Sequence, residues 1–166
     1  MRILLVEDDE FKQRRIAQVL RDFESDLLLD VARSVNSGLE AILSSPPDIV
    51  LLDMSLTTFD VGPGELGGRP QNFGGMEVLR QMDRLGVVAP VIVITQHERF
   101  AGGGGREVHL SAVHQELSEE HARVFRGLIY YNSATGKWEK ELKSLIARIA
   151  RGTGGDVVRK NSRRRR

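Results

Sequence analysis

The chain has 166 residues, 40% hydrophobic and 28% charged, with a formal net charge of +1, a balance that suits one globular domain with a real core. It contains no cysteine, which excludes disulfides, thiolate metal sites and cysteine nucleophiles. No apolar run approaches the roughly 18 residues of a membrane span, and in MRILLVEDDE acids follow the apolar stretch at once, unlike a signal peptide, so a cytoplasmic protein is expected.

Five short runs rich in Val, Ile and Leu read as buried strands: residues 2–6, 27–31, 49–52, 91–95 and 128–131. They do not alternate with polar residues, the pattern of parallel strands covered on both faces. Helical spacing separates them. Ile16, Val19, Leu20 and Phe23 follow the first run. Val35, Leu39, Ile42 and Leu43 follow the second, with Ser34 as N-cap and Pro46-Pro47 as the stop. Met76, Leu79, Met82 and Leu85 follow the third and end at Gly86. Residues 110–122 carry the weakest helical pattern. Trp138, Leu142, Leu145, Ile146 and Ile149 form an apolar stripe that is expected to pack in the core and to end at Gly152. Alternating strands and helices imply an α/β fold: a flavodoxin-like, doubly wound, five-stranded parallel sheet of order 2-1-3-4-5 with helices on both faces.

Two glycine-rich stretches interrupt this scheme, at about 57–75 and at about 98–110, the second around residues 102–105. They are expected to be flexible surface loops; neither has the spacing of a phosphate-binding P-loop. The domain is expected to span 1–151. The remainder, 152–166, reads as a basic, disordered tail: RKNSRRRR holds six of the 24 basic residues and leaves 18 basic against 23 acidic in the body. That tail is the one feature suited to an electrostatic contact with nucleic acid, anionic lipid or an acidic partner. With about 15 residues after Arg151, no DNA-binding output domain is expected.

In such sheets ligands sit at the carboxyl ends of the strands. Glu7, Asp8 and Asp9 follow the first strand, Asp53 closes the third and Thr95 closes the fourth. Because strands 1, 3 and 4 are neighbours in the expected order, Glu7, Asp8, Asp53 and Thr95 would converge on one cleft. Clustered carboxylates repel unless neutralised, and all-oxygen ligands suit Mg²⁺. Asp53 could then act as nucleophile toward a phosphoryl group, with the Thr95 hydroxyl donating to a phosphoryl oxygen. Asp8 or Asp9 could instead cap the first helix. The four histidines, His97, His109, His114 and His121, make no convincing metal set and read as surface residues.

ILLVEDDE, DIVLLDMSL, GGMEVLRQM and PVIVIT together resemble the receiver domains of two-component response regulators, the CheY-like family, over roughly residues 1–151. The resemblance implies that Asp53 is the phosphoacceptor and Thr95 the switch hydroxyl. It implies that Asp8, Asp53 and the main-chain carbonyl of Ser55 bind Mg²⁺, with Glu7 acting through water. It also implies a histidine kinase or phosphotransfer protein as phosphoryl source and output through protein–protein contacts, with no enzymatic activity beyond the domain's own phosphorylation and dephosphorylation. Two departures stand out. Where the family carries a lysine and a proline after the fifth strand, this chain has Tyr131 and Asn132, and Lys137 lies six residues further on. Both glycine-rich stretches also exceed the family norm. A phosphorylation-independent interaction module that keeps the receiver fold is therefore the alternative, and a small hydrolase using the same acids is a more distant one.

Overall fold

A computed structural model describes residues 1–62, 73–101 and 106–162, the last ten of these by their backbone alone. Five parallel strands form the central sheet: β1 (Arg2–Val6), β2 (Leu28–Ala32), β3 (Ile49–Leu52), β4 (Val91–Thr95) and β7 (Phe125–Tyr130). Their order is β2-β1-β3-β4-β7, the expected 2-1-3-4-5 arrangement once a short hairpin is set aside. The last strand starts three residues earlier and stops one residue earlier than its apolar run suggested, so Tyr131 stands just beyond it.

The helices are α1 (Glu10–Phe23), α2 (Val35–Ser44), α3 (Gly74–Arg84), α4 (Leu110–Glu120) and α5 (Lys137–Ser162). Successive strand residues point to opposite faces, and both faces of the central strands are covered, whereas β2, expected to be buried, lies at the sheet edge and leaves Leu28 and Val31 exposed. Leu4, Val6, Val50, Leu52, Val91 and Val93 pack against Ile42 of α2, Leu79 of α3 and Leu117 of α4. Ile3, Leu5, Ile49, Leu51, Ile92 and Ile94 pack against Ile16 and Leu20 of α1 and Trp138, Leu142 and Ile146 of α5. The unbroken apolar runs of β1, β3 and β4 follow from this double coverage.

Ser34 caps α2 as expected, in a reciprocal capping box with Ser37. Leu43, placed on the apolar stripe of α2 by spacing, is instead exposed. Gly86 ends α3 at a φ of 68°, a left-handed conformation that only glycine adopts without strain. Gly152 does not take that conformation. The helix therefore runs on through residue 162, and the backbone of 152–162 is helical where a disordered tail was expected; residues 163–166 lie outside the described residues.

The two glycine-rich stretches are more ordered at their bases than their composition suggests. In the first, the carbonyls of Thr57 and Thr58 accept the first-turn N–H groups of Val35 and Asn36, and Ser37 donates to Asp60 at 2.7 Å. This segment thus satisfies donors that α2 would otherwise leave unpaired. The second contains an antiparallel hairpin, β5 (Arg99–Ala101) with β6 (Glu107–His109), pinned by the buried Phe100 against Phe73 with ring centroids 5.4 Å apart. Residues 63–72 and 102–105, which hold most of the glycines, lie outside the described residues.

Candidate functional site

The parallel register sets Val6 beside Leu52 and Leu52 beside Val93, so the residues after β1, β3 and β4 meet at one edge of the sheet. The Asp53 amide donates to the Val6 carbonyl at 2.9 Å, which seats the aspartate next to Glu7. After Asp53 the chain passes directly under α3. An added Cβ on Gly75 would lie 2.5 Å from the Asp53 carbonyl oxygen, and one on Gly74 would lie 2.5 Å from that of Leu56. The glycine pair that opens α3 lets the helix rest on the backbone of the aspartate loop.

Carboxylate oxygens of Glu7, Asp8 and Asp53 all lie within 4.8 Å of one another, so the structure brings together the three acids expected from sequence. Glu7 and Asp53 are buried and Asp8 is half-buried. Asp9 takes the capping role: its side chain accepts the Lys12 amide at 2.9 Å. The Ser55 amide donates to Asp53 Oδ2 at 2.9 Å, turning the loop back on the carboxylate. Thr95 is fully buried at the end of β4, and its hydroxyl accepts the His97 amide at 3.2 Å. Among the described residues no hydrogen bond joins Thr95 to Asp53.

The residue that the sequence reading missed is Lys12. It is 2% exposed, and its Nζ lies 2.6 Å from Asp53 Oδ1, 2.5 Å from Glu7 Oε2 and 2.8 Å from the Ile94 carbonyl oxygen. A signal for it was present. Lys12 stands one turn before Ile16 on the same stripe as Val19, Leu20 and Phe23, and a lysine on a buried helical face requires a charged partner. The stripe could not say which acid that was. Tyr131, at the position where the family lysine was expected, packs on Trp138 at 4.8 Å between centroids, and its ring centroid lies 5.8 Å from Lys12 Nζ. Lys137 is far more exposed, at 83% of its side chain, and pairs with Glu141.

Three carboxylates thus face one ammonium. Burial pushes Lys12 down, but Asp53 and Glu7 outweigh it, and the group is held above its ordinary value as a cation. Burial pushes Glu7 up to about 7, against the pull of Lys12 and with help from the Asp53 charge. Asp8 is raised by burial and then by Asp53. This pattern marks a cluster short of positive charge. Its donors are hard carboxylate oxygens, so the residues present fit a small divalent cation. His121, expected at the surface, is buried at the end of α4, with Nδ1 2.6 Å from Asp83 of α3; it tethers two helices away from the acidic site.

No protein-family model matches the chain. It is 27% identical over 147 residues to the uncharacterized protein y4jR of Sinorhizobium fredii, covering 87% of this chain and 95% of that one. It is 26% identical over 151 residues to the Detocs response regulatory protein DtcB of Enterobacter cloacae, covering 90% of this chain and 100% of that one. Among solved structures it resembles a CheY-like response regulator receiver domain protein from Methanospirillum hungatei, with a TM-score of 0.61, 17% identity and coverage of 93% and 97%. It also resembles the Mn²⁺-bound response regulator Rcp1, with a TM-score of 0.58, 18% identity and coverage of 87% and 90%. The strand order, the helices on both sheet faces and these likenesses agree: the chain has the CheY-like fold of response regulator receiver domains.

Proposed function

We propose that the chain is a receiver module of a two-component phosphorelay that accepts a phosphoryl group on Asp53. The observation that carries this reading is the setting of that carboxylate. It sits at the carboxyl end of a central strand, with Oδ1 held by the Lys12 ammonium, Oδ2 by the Ser55 amide and Asp8 beside it. A carboxylate held this way is an oriented nucleophile. The likeness to a protein named as a response regulatory protein supports the same reading.

Asp8, Asp53 and the Ser55 main-chain carbonyl would hold Mg²⁺, with Glu7 acting through water. The bound ion would offset charge on the transferring group. The protein's own residues do the rest: Ser55 and Lys12 fix the orientation of Asp53, and Thr95 offers a hydroxyl at the adjacent strand end. The phosphoryl source would be a histidine kinase or phosphotransfer protein in the cytoplasm, and output would pass through protein–protein contacts rather than through catalysis of an outside reaction. The test is incubation with acetyl phosphate and Mg²⁺, followed by intact-protein mass spectrometry. One added phosphoryl group, absent from Asp53→Asn, is expected; an unmodified wild type would refute the reading.

One observation favours the second reading, a phosphorylation-independent interaction module: Lys12 pairs with two of the three acids, so the chain itself supplies neutralising charge. In that case partner binding would persist unchanged in Asp53→Asn.

A further inference from the structure

We propose that Lys12 is the cation that contacts the transferred phosphoryl group, so that the site draws its ammonium from the first turn of α1 and not from the end of β7. The inference rests on Asp53 being the phosphoacceptor and names a residue that completes that site.

The chemistry sets the requirement. When an Asp53 oxygen attacks phosphorus, a P–O bond forms and the bond from phosphorus to the leaving group breaks. The electron pair of that bond departs with the leaving group. Attack by the carboxylate form releases no proton from Asp53. A singly charged carboxylate becomes an acyl phosphate carrying about two negative charges, within a cluster that already holds Glu7 and Asp8. A fixed cation at the reacting oxygens lowers the cost of this added charge, and it does so best where water is excluded.

Lys12 meets each condition. Its Nζ is 2.6 Å from Asp53 Oδ1, one of the two atoms that can form the new bond, and the residue is 2% exposed. Its position is over-determined. Asp9 caps the helix turn that carries it, accepting the Lys12 amide itself. The Ile94 carbonyl holds the ammonium from the β4 side at 2.8 Å, one residue before Thr95. Tyr131 closes the β7 side, with its ring face toward the ammonium. The end of β7 is therefore occupied by an aromatic ring that packs on Trp138, and the ammonium that reaches the carboxylate comes from α1. An ammonium donates three hydrogens. Phosphorylation converts one of its acceptors from a carboxylate oxygen to part of an acyl phosphate, and the hydrogen released there can turn to a phosphoryl oxygen while the Ile94 carbonyl still anchors the group.

The test uses the full chain with acetyl phosphate and Mg²⁺, following phosphorylation rate by intact mass. Lys12→Met is expected to slow phosphorylation on the order of 100-fold, the usual effect of removing one positioned charge-stabilising donor. The chain has no cysteine, so Lys12→Cys can be alkylated selectively with 2-bromoethylamine under denaturing conditions and refolded, which restores an ammonium at nearly the original reach. Recovery of most of the rate by this alkylation is expected; recovery by iodoacetamide, which adds a neutral group of similar length, is not. The alkylated pair also covers the case in which Lys12→Met does not fold. A phosphorylated wild type whose Lys12→Met or amide-capped variant reacts at the same rate would overturn the role of Lys12 and leave Asp53 as phosphoacceptor. A wild type that takes up no phosphoryl group would remove the underlying reading and the role of Lys12 with it.

Discussion

Lys12 Nζ and Asp53 Oδ1 stand 2.6 Å apart, and this contact joins the first turn of α1 to the end of β3 across 41 residues of sequence. The pair is buried, so neither charge is tolerable alone. Removing one partner of a buried pair typically costs about 3–5 kcal/mol. Lys12→Met should therefore destabilise by about 3 kcal/mol, toward the low end because Glu7 can take up a proton. The same substitution in Asp53→Asn should cost less. Urea unfolding of the four proteins of this cycle should give a coupling of about 1–3 kcal/mol; additive losses would mean that the pair is not an energetic unit.

Glu7 predicts the pH dependence of stability. Its ordinary value is 4.5 and burial raises it to about 7 in the folded chain. Between these values the native protein binds a proton there that the unfolded chain has already released. The Glu7 contribution is then fully present below 4.5, declines as pH rises and is lost above about 7. Lys12, raised rather than lowered, stays charged in both states across this window and adds no slope. Denaturant midpoints from pH 4.5 to 8 should show a decline that Glu7→Gln flattens. An unchanged slope in that variant would assign the titration to another group.

Divalent binding should run the opposite way with pH, because a metal competes with protons for the same carboxylates. Mg²⁺ or Mn²⁺ should bind weakly and more tightly at pH 8 than at pH 6. Trp138 reports on the site through Tyr131, on which it packs. Asp8→Asn should abolish the fluorescence titration, and an unaltered response would move the ion to other ligands.

Two glycines near the ends of α3 should behave differently. Gly75→Ala places a Cβ 2.5 Å from the Asp53 carbonyl oxygen and 3.0 Å from the Met54 Cα, and backbone atoms cannot yield cheaply. A cost of about 1–3 kcal/mol is expected, together with slower phosphorylation because the aspartate loop must shift. Gly86→Ala meets no atom within 4 Å but must hold a φ of 68°, a strain of about 1–2 kcal/mol. It should lower the melting temperature without altering the phosphorylation rate. Equal effects on rate would show that the close approach at Gly75 does not position Asp53.

Phe100 anchors the hairpin that follows β4. It is 3% exposed and packs on Phe73. Phe100→Ala should cost about 3 kcal/mol and should speed hydrogen exchange at the β5–β6 amides before it affects the central sheet. Retained protection at those amides would mean that the strand pairing alone holds the hairpin.

The sequence by itself determined the sheet and most of its helices. The unbroken Val, Ile and Leu runs of β1, β3 and β4 suit strands covered on both faces, and once their order is known the acids after β1 and β3 must converge. Ser34 and Gly86 marked helix ends because capping and left-handed turns depend on neighbours only a few residues away. Gly152 shows the limit of that local logic, since the same residue type passes within α5 when its backbone stays helical. Only the tertiary structure decided what neutralises the acids. Helical periodicity put Lys12 on the buried face of α1, but a period of 3.6 residues specifies a direction and not the neighbour found there. That neighbour, Asp53, is 41 residues away, and the two meet only because α1 packs across the face of the sheet whose carboxyl edge carries the aspartate. The ring of Tyr131 meets the same ammonium for the same reason: burial and register, not spacing along the chain, decide which side chain meets a buried charge.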